Sequence, residues 1–176
     1  MVKNSNIKHI LYNINNRKKY LLFFTLLPLI IDIITKYIVK TNMVLYSFIP
    51  VIDGFFNIVY VLNPGAAFSF LHDMNESYRQ IFFVSITSVA IIVIFYIFLK
   101  ETTKLNIIGF ALILSGAIGN LIDRIFIGKV VDFLDFYYKS YHFPAFNVAD
   151  SCITIGVALI IINLIFIKDN KNVDNN

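Results

Sequence analysis

The chain has 176 residues, enough for one domain. Hydrophobic residues make up 58 % and charged ones 15 %, with a mean hydropathy of +0.74, which excludes an ordinary soluble domain and points to an integral membrane protein. The net charge of +4 does not indicate nucleic acid, because the basic residues gather at the ends of apolar runs, and the single cysteine, Cys152, excludes an internal disulfide framework or a Cys-based zinc site.

Residues 1–19 are rich in Asn and Lys and read as a basic tail. A first apolar run, 20–39, is long enough to cross a bilayer, which takes about 20 residues. It is too long for a cleaved signal peptide and no small-x-small site follows it, so it is expected to be retained. The loop 40–79 comes next. Its stretch 55–62 is β-branched and aromatic and predicts a short strand pair or edge, broken by Asn63-Pro64-Gly65. Further spans are predicted at 80–99, 105–123 and 148–167. The loop 124–147 is aromatic and amphipathic, a composition that suits the membrane–water interface. The polar end, 169–176, reads as a disordered tail. The expected architecture is therefore an all-α polytopic membrane protein: four transmembrane helices, with a short strand pair or edge in the first long loop and an aromatic second loop.

Lys and Arg set the orientation. Four spans put both termini on one side, together with Lys3, Lys8, Arg17, Lys18, Lys19, Lys100, Lys104, Lys168 and Lys171. The other side holds only Lys40, Arg79, Arg124, Lys129 and Lys139, over two longer loops. The positive-inside rule predicts cytoplasmic termini and outward-facing loops.

Charges inside the spans need partners, because a carboxylate there costs roughly 2.5–3.5 kcal/mol. Asp32 has Lys36 four residues on, hence on the same helical face, and the two predict an intramembrane ion pair. In the third span Ala111, Ser115 and Gly119 form a small-residue stripe that admits a close neighbour, beside a polar stripe of Gly116, Asn120 and Arg124, with Asp123 alongside.

Two further carboxylates flank one short loop. Asp132 lies in an apolar "VVDF", and Asp150 opens the fourth span. Taken alone, Asp150 reads as a capping residue three positions after an Asn147 N-cap, and Asp132 as an exposed loop residue like Asp135, which is expected to face solvent. Held together in a low dielectric, however, two carboxylates cannot both ionise. One keeps a proton while the other acts as a base, the arrangement that activates water in an aspartic protease. Ser151 and Cys152 have no nearby histidine base, and His9, His72 and His142 show no metal-ligand spacing.

These segments carry a family resemblance. In chain order they are "DIITK" at 32–36, "NPGAAFS" at 63–69, "GNLIDR" at 119–124, "VVDF" at 130–133 and "FNVADS" at 146–151. Together they resemble bacterial lipoprotein signal peptidase (signal peptidase II), an intramembrane aspartyl protease family. Residue by residue, the resemblance implies that Asp132 and Asp150 are the catalytic pair. It implies that Asn63, Gly65, Asn120, Arg124 and Asn147 line the substrate cleft, and that Asp32, Lys36 and Asp123 support the site. It implies diacylglyceryl-modified prolipoprotein substrates, cut just before the lipid-bearing cysteine at the outer face of the bacterial plasma membrane. It also implies a small extracytoplasmic β-rich cradle on the outer surface. Contact with membrane lipids, no metal or other cofactor, and action as a monomer are further expectations. A transporter or channel relaying protons through Asp32, Asp123 and Asp150 is the rival reading from another class, and a non-catalytic scaffold is a third. Neither accounts for the apolar-flanked Asp132.

Overall fold

The computed structural model describes residues 17–65 and 75–173, with side chains up to residue 165 in the last helix. His9, His72 and the segment 66–69 of "NPGAAFS" lie outside the described residues.

Four helices are long and apolar enough to cross a membrane, and the chain is a multi-pass membrane protein. Helix α1 spans Arg17–Asn42. Pro28 lies in its interior, where it can donate no backbone hydrogen bond and its ring crowds the preceding turn. The helix accommodates it with a π-helical stretch, Leu22–Leu26, just ahead of the proline. Helix α2 is Glu76–Lys100, capped by Asn75, whose side chain accepts the Ser77 N–H. Helix α3 is Lys104–Phe126, and helix α4 is Val148–Val173. Each helix extends beyond its predicted span by one or more residues. Helix α4 also runs on through the first residues of the stretch whose composition suggested a disordered tail.

Helix α3 is the centre of the bundle. Of its most apolar stretch 61 % is buried, against 11–22 % in the other three, whose outer faces carry exposed Ile, Val and Phe suited to lipid. Glycines set the approach of α4. A Cβ on Gly116 would collide with the Ala149 carbonyl, and one on Gly109 would meet the Gly156 carbonyl at 2.8 Å. With small residues at these positions the two backbones pack almost in contact. Cys152 is buried in this packing as a small core residue.

An antiparallel sheet, ordered β1-β2-β3-β4, covers one end of the bundle. Its strands are β1 Phe48–Ile52, β2 Phe56–Asn63, β3 Val130–Tyr138 and β4 Tyr141–His142. The stretch 55–62 expected as a strand pair or edge forms one internal strand, β2, paired with β1 before it and with β3 from the loop that composition marked only as aromatic. In β2 the register shifts between Ile58 and Val61, a bulge that sets Val61 opposite Asp132 and Asn57 opposite Asp135. Val39 of α1, Tyr60, Val131 and Phe133 form the core joining sheet to bundle. After β4 the chain turns back along β3, and Phe146 exchanges backbone hydrogen bonds with Leu134. That return places Asn147 and the start of α4 beside Asp132.

Candidate active site

Asp132 occupies β3 and is only 1 % exposed. Both of its oxygens accept from side-chain amides. Oδ1 takes the Asn147 Nδ2–H at 2.8 Å, and Oδ2 takes the Asn63 Nδ2–H at 2.9 Å. Asn63 is itself oriented by an Asx turn, in which its Oδ1 accepts the Gly65 N–H at 2.9 Å. Gly65 has φ +90°, and a Cβ there would lie 2.5 Å from the Phe83 ring, so both backbone and space favour glycine. Burial pushes the Asp132 carboxyl up to about 6, against the two amide hydrogen bonds, and the neighbouring Asp150 charge adds to the rise.

Asp150 lies in the first turn of α4, where free N–H groups favour negative charge. Its Oδ1 accepts from Asn120 Nδ2 at 2.7 Å and its Oδ2 from the Asn147 backbone N–H at 3.3 Å. In return the Asn147 Oδ1 accepts the Asp150 N–H at 2.8 Å. This is the reciprocal capping box expected from the sequence. Capping and pairing are therefore not alternatives. The cap residue, Asn147, is 0 % exposed and also holds Asp132.

Below this pair sits a buried ion cluster. The ammonium of Lys36 pairs with Asp32 Oδ2 at 2.8 Å and Asp123 Oδ2 at 2.9 Å and donates to Asn120 Oδ1 at 3.1 Å. The expected ion pair of Asp32 and Lys36 is present, but it has a second carboxylate. Asp32 Oδ1 accepts the Ala149 N–H at 2.8 Å, and Asp123 Oδ2 accepts the Val131 N–H at 3.1 Å. Each of these amides belongs to the residue just before Asp150 or Asp132. Gly119 leaves room for this, since a Cβ there would lie 2.5 Å from Asp32 Oδ2.

Arg124, at the end of α3, rests over the Phe83 ring at 5.2 Å. Beside Asp150 a groove of about 530 Å³ runs between α4 and the loop after β4, lined by Phe143, Pro144, Phe146, Ser151, Thr154 and Ile155. It is mostly apolar. Among the described residues no group of three or more His, Cys, Asp and Glu side chains is placed to hold a metal ion.

One expectation is corrected here. Asp135 does not face solvent. It is 6 % exposed, and its carboxylate accepts from Asn57 Nδ2 at 2.9 Å and contacts His142 Nδ1 at 2.9 Å. Three residues on from Asp132 along the strand, it projects to the other face of the sheet, where the side chains of Asn57 and His142 from the flanking strands close on it. Sequence reasoning also missed Gln80, whose side chain caps the Arg124 carbonyl at 2.8 Å. Gln80 ends the polar opening of the helix, Glu76-Ser77-Tyr78-Arg79-Gln80, and nothing local separates it from a solvated helix end.

The sequence profile of Signal peptidase (SPase) II matches residues 24–166, most of the chain and every element of this site. The chain belongs to the signal peptidase II family. It is 47 % identical over 153 residues to a lipoprotein signal peptidase of Geobacter metallireducens, covering 86 % of this chain and 93 % of that protein. It is 46 % identical over 160 residues to one of Syntrophus aciditrophicus, covering 88 % and 99 %. A solved bacterial membrane enzyme superposes with a TM-score of 0.78 at 37 % identity, over 88 % of this chain and 92 % of that one. The activity is that of a lipoprotein signal peptidase, an aspartyl peptidase.

Proposed function

We propose that Asp132 and Asp150 are the catalytic pair, and that the enzyme removes the signal peptide of diacylglyceryl-modified prolipoproteins just before the lipid-bearing cysteine. The observation that carries this reading is Asn147, which bonds to both carboxylates at once. Asp132, the more deeply buried, holds the proton. Asp150, at the helix N-terminus and facing two N–H donors, is the base. It takes a proton from water as the water oxygen attacks the scissile carbonyl carbon, while Asp132 donates its proton to the carbonyl oxygen. Collapse of the resulting diol returns a proton to Asp132 and breaks the C–N bond as the leaving nitrogen is protonated from Asp150. Asn63, Asn120 and Asn147 keep the carboxylates aimed, since neutral amides orient without abolishing the basicity. Arg124 and Gly65 border the cleft.

The apolar groove beside Asp150 suits the signal segment or an acyl chain, which enters sideways from the bilayer. The distribution of Lys and Arg supports cytoplasmic termini, with sheet and pair at the outer surface. Asp32, Lys36 and Asp123 support the pair through the Ala149 and Val131 amides. The protein acts as a monomer on this reading.

The test is cleavage by the purified protein of a synthetic prolipoprotein peptide with and without its diacylglyceryl group. The lipidated peptide is expected to be cut once, before the modified cysteine, and the unlipidated one to remain intact. Equal cleavage of both would remove the lipid from the recognition.

A further inference from the structure

The groove beside Asp150 has two walls of different build. One is the first turns of α4, a helix face. The other is the short link 143–146 between β4 and α4. The two ends of that link are held differently. At the α4 end three backbone hydrogen bonds tie Phe146 to β3. Its carbonyl accepts the Phe133 N–H at 3.0 Å and the Leu134 N–H at 2.8 Å, and its own N–H donates to the Leu134 carbonyl at 3.1 Å. These bonds also fix the next residue, Asn147. At the β4 end Phe143 donates its N–H to the Phe136 carbonyl at 2.8 Å, and Pro144 has no N–H to add. The strand leading in is only two residues long.

A side chain makes up the difference. His142, the last residue of β4, brings its Nδ1 to 2.9 and 3.1 Å from the two oxygens of Asp135. A carboxylate only accepts, so Nδ1 carries the hydrogen and donates it. Asp135 is buried and held from behind by Asn57 Nδ2 at 2.9 Å. No Lys or Arg among the described residues pairs with it, so His142 is the group that can neutralise it. Tyr137 stacks on the imidazole at 4.9 Å with the planes 9° apart, and its hydroxyl accepts the Gly54 N–H at 2.8 Å. The ring is thus fixed by edge and by face, although 53 % of the side chain is exposed. It sits one residue before the wall of the groove.

We propose that His142 is a positioning residue for substrate binding. Latched to Asp135, it keeps the 143–146 wall at its distance from α4 and so sets the grip on the membrane-embedded part of the substrate, without entering the chemistry. The proposal rests on the reading of this groove as the seat of that part. The Phe146 bonds hold Asn147, and through it the two carboxylates, independently of the latch. Loosening the β4 end therefore widens the groove and leaves the pair in place. The signature is a rise in KM with kcat preserved.

The full-length enzyme is purified in detergent, and kcat and KM are read on the lipidated prolipoprotein peptide. His142→Ala is expected to raise KM about tenfold, the scale of one hydrogen bond to a charged group, with kcat within about twofold of wild type. His142→Asn places an amide Nδ2–H where the imidazole Nδ1–H stands and is expected to return KM to near the wild-type value. Asp135→Asn leaves one oxygen for two donors. It is expected to raise KM as well, and to add nothing when combined with His142→Ala. If His142→Ala yields no folded protein, Asp135→Asn reads the same split. An unchanged KM, a fall in kcat as large as the rise in KM, no rescue by Asn, or effects of the two residues that multiply would each overturn the latch. Thr154→Trp fills the groove from the α4 side and keeps the two readings apart. If it raises KM while His142→Ala does not, the groove binds substrate and only the latch is wrong. If neither changes KM, the groove is not the seat of the substrate and the proposal falls with it.

Discussion

Asn147 donates its side-chain amide to Asp132 at 2.8 Å while capping the helix that carries Asp150. The position of one carboxylate thus depends on the residue that starts the other's helix. Asn147→Ala removes a helix cap, worth about 1 kcal/mol, and leaves the buried Val131 carbonyl and Asp132 each one donor short, worth about 1–3 kcal/mol more. Thermal unfolding in detergent is expected to show a loss of that order. Turnover of lipidated peptide is expected to fall by more than the loss of folded protein explains, because Asp132 loses one of its two amide donors and the turn that carries Asp150 loses its cap.

Lys36 serves two carboxylates, so its loss is expected to be the worst in its cluster. Lys36→Met leaves Asp32 and Asp123 buried and unneutralised, and breaking such a pair costs roughly 3–5 kcal/mol. Asp32→Asn keeps an acceptor for the Ala149 amide and leaves Lys36 paired with Asp123, so it is expected to be milder. The double variant Asp32→Ala with Lys36→Ala abandons Asp123 and is expected to be no more stable than Asp32→Ala alone. Unfolding midpoints of the four proteins rank them. Recovery in the double variant would mean that Asp123 is not part of the cluster.

The pH dependence follows from Asp132. Its folded value is raised from 3.8 to about 6, so between those values the folded protein keeps a proton that the unfolded chain has lost. The contribution of Asp132 to stability is therefore greatest at low pH and declines as pH rises through that window, by ~3 kcal/mol in total, with no further change from this group above it. The Asp132→Asn protein is expected to lack this decline when unfolding midpoints are compared from pH 4 to 8. For catalysis the pair needs one proton. The kcat/KM of the wild type is expected to fall on the alkaline side of an apparent value near 6, which belongs to the pair as a unit.

Much of this was legible in the residues. Apolar length marked the four helices. The i, i+4 spacing of Asp32 and Lys36 announced their contact, and the Asn147–Asp150 spacing announced the capping box. Small residues on α3 announced a close neighbour. Long-range register was not legible. Nothing local says that Lys36 also reaches Asp123, or that a bulge in β2 sets Asn57 against Asp135. Asp135 was misplaced for that reason. A carboxylate between Leu134 and Phe136 looks exposed until the partner strand and β4 bury it.

Orientation is open to chemical labelling. In a Cys152→Ala background, Asn75→Cys at the start of α2 is expected to react with a membrane-impermeant thiol reagent on intact spheroplasts. Thr102→Cys, between α2 and α3, is expected to react only after lysis. The reverse pattern would put the sheet and the carboxylates on the cytoplasmic side.

The most direct measurement is a double-variant cycle on the two carboxylates, reading kcat/KM on a lipidated peptide with proteins whose folding has been checked. If Asp132 and Asp150 act as one acid–base unit, Asp132→Asn and Asp150→Asn each lower kcat/KM by on the order of a thousandfold or more, and the combined variant is no worse than either. Either single variant retaining activity within tenfold of wild type, or losses that multiply in the double variant, would contradict the shared-proton pair.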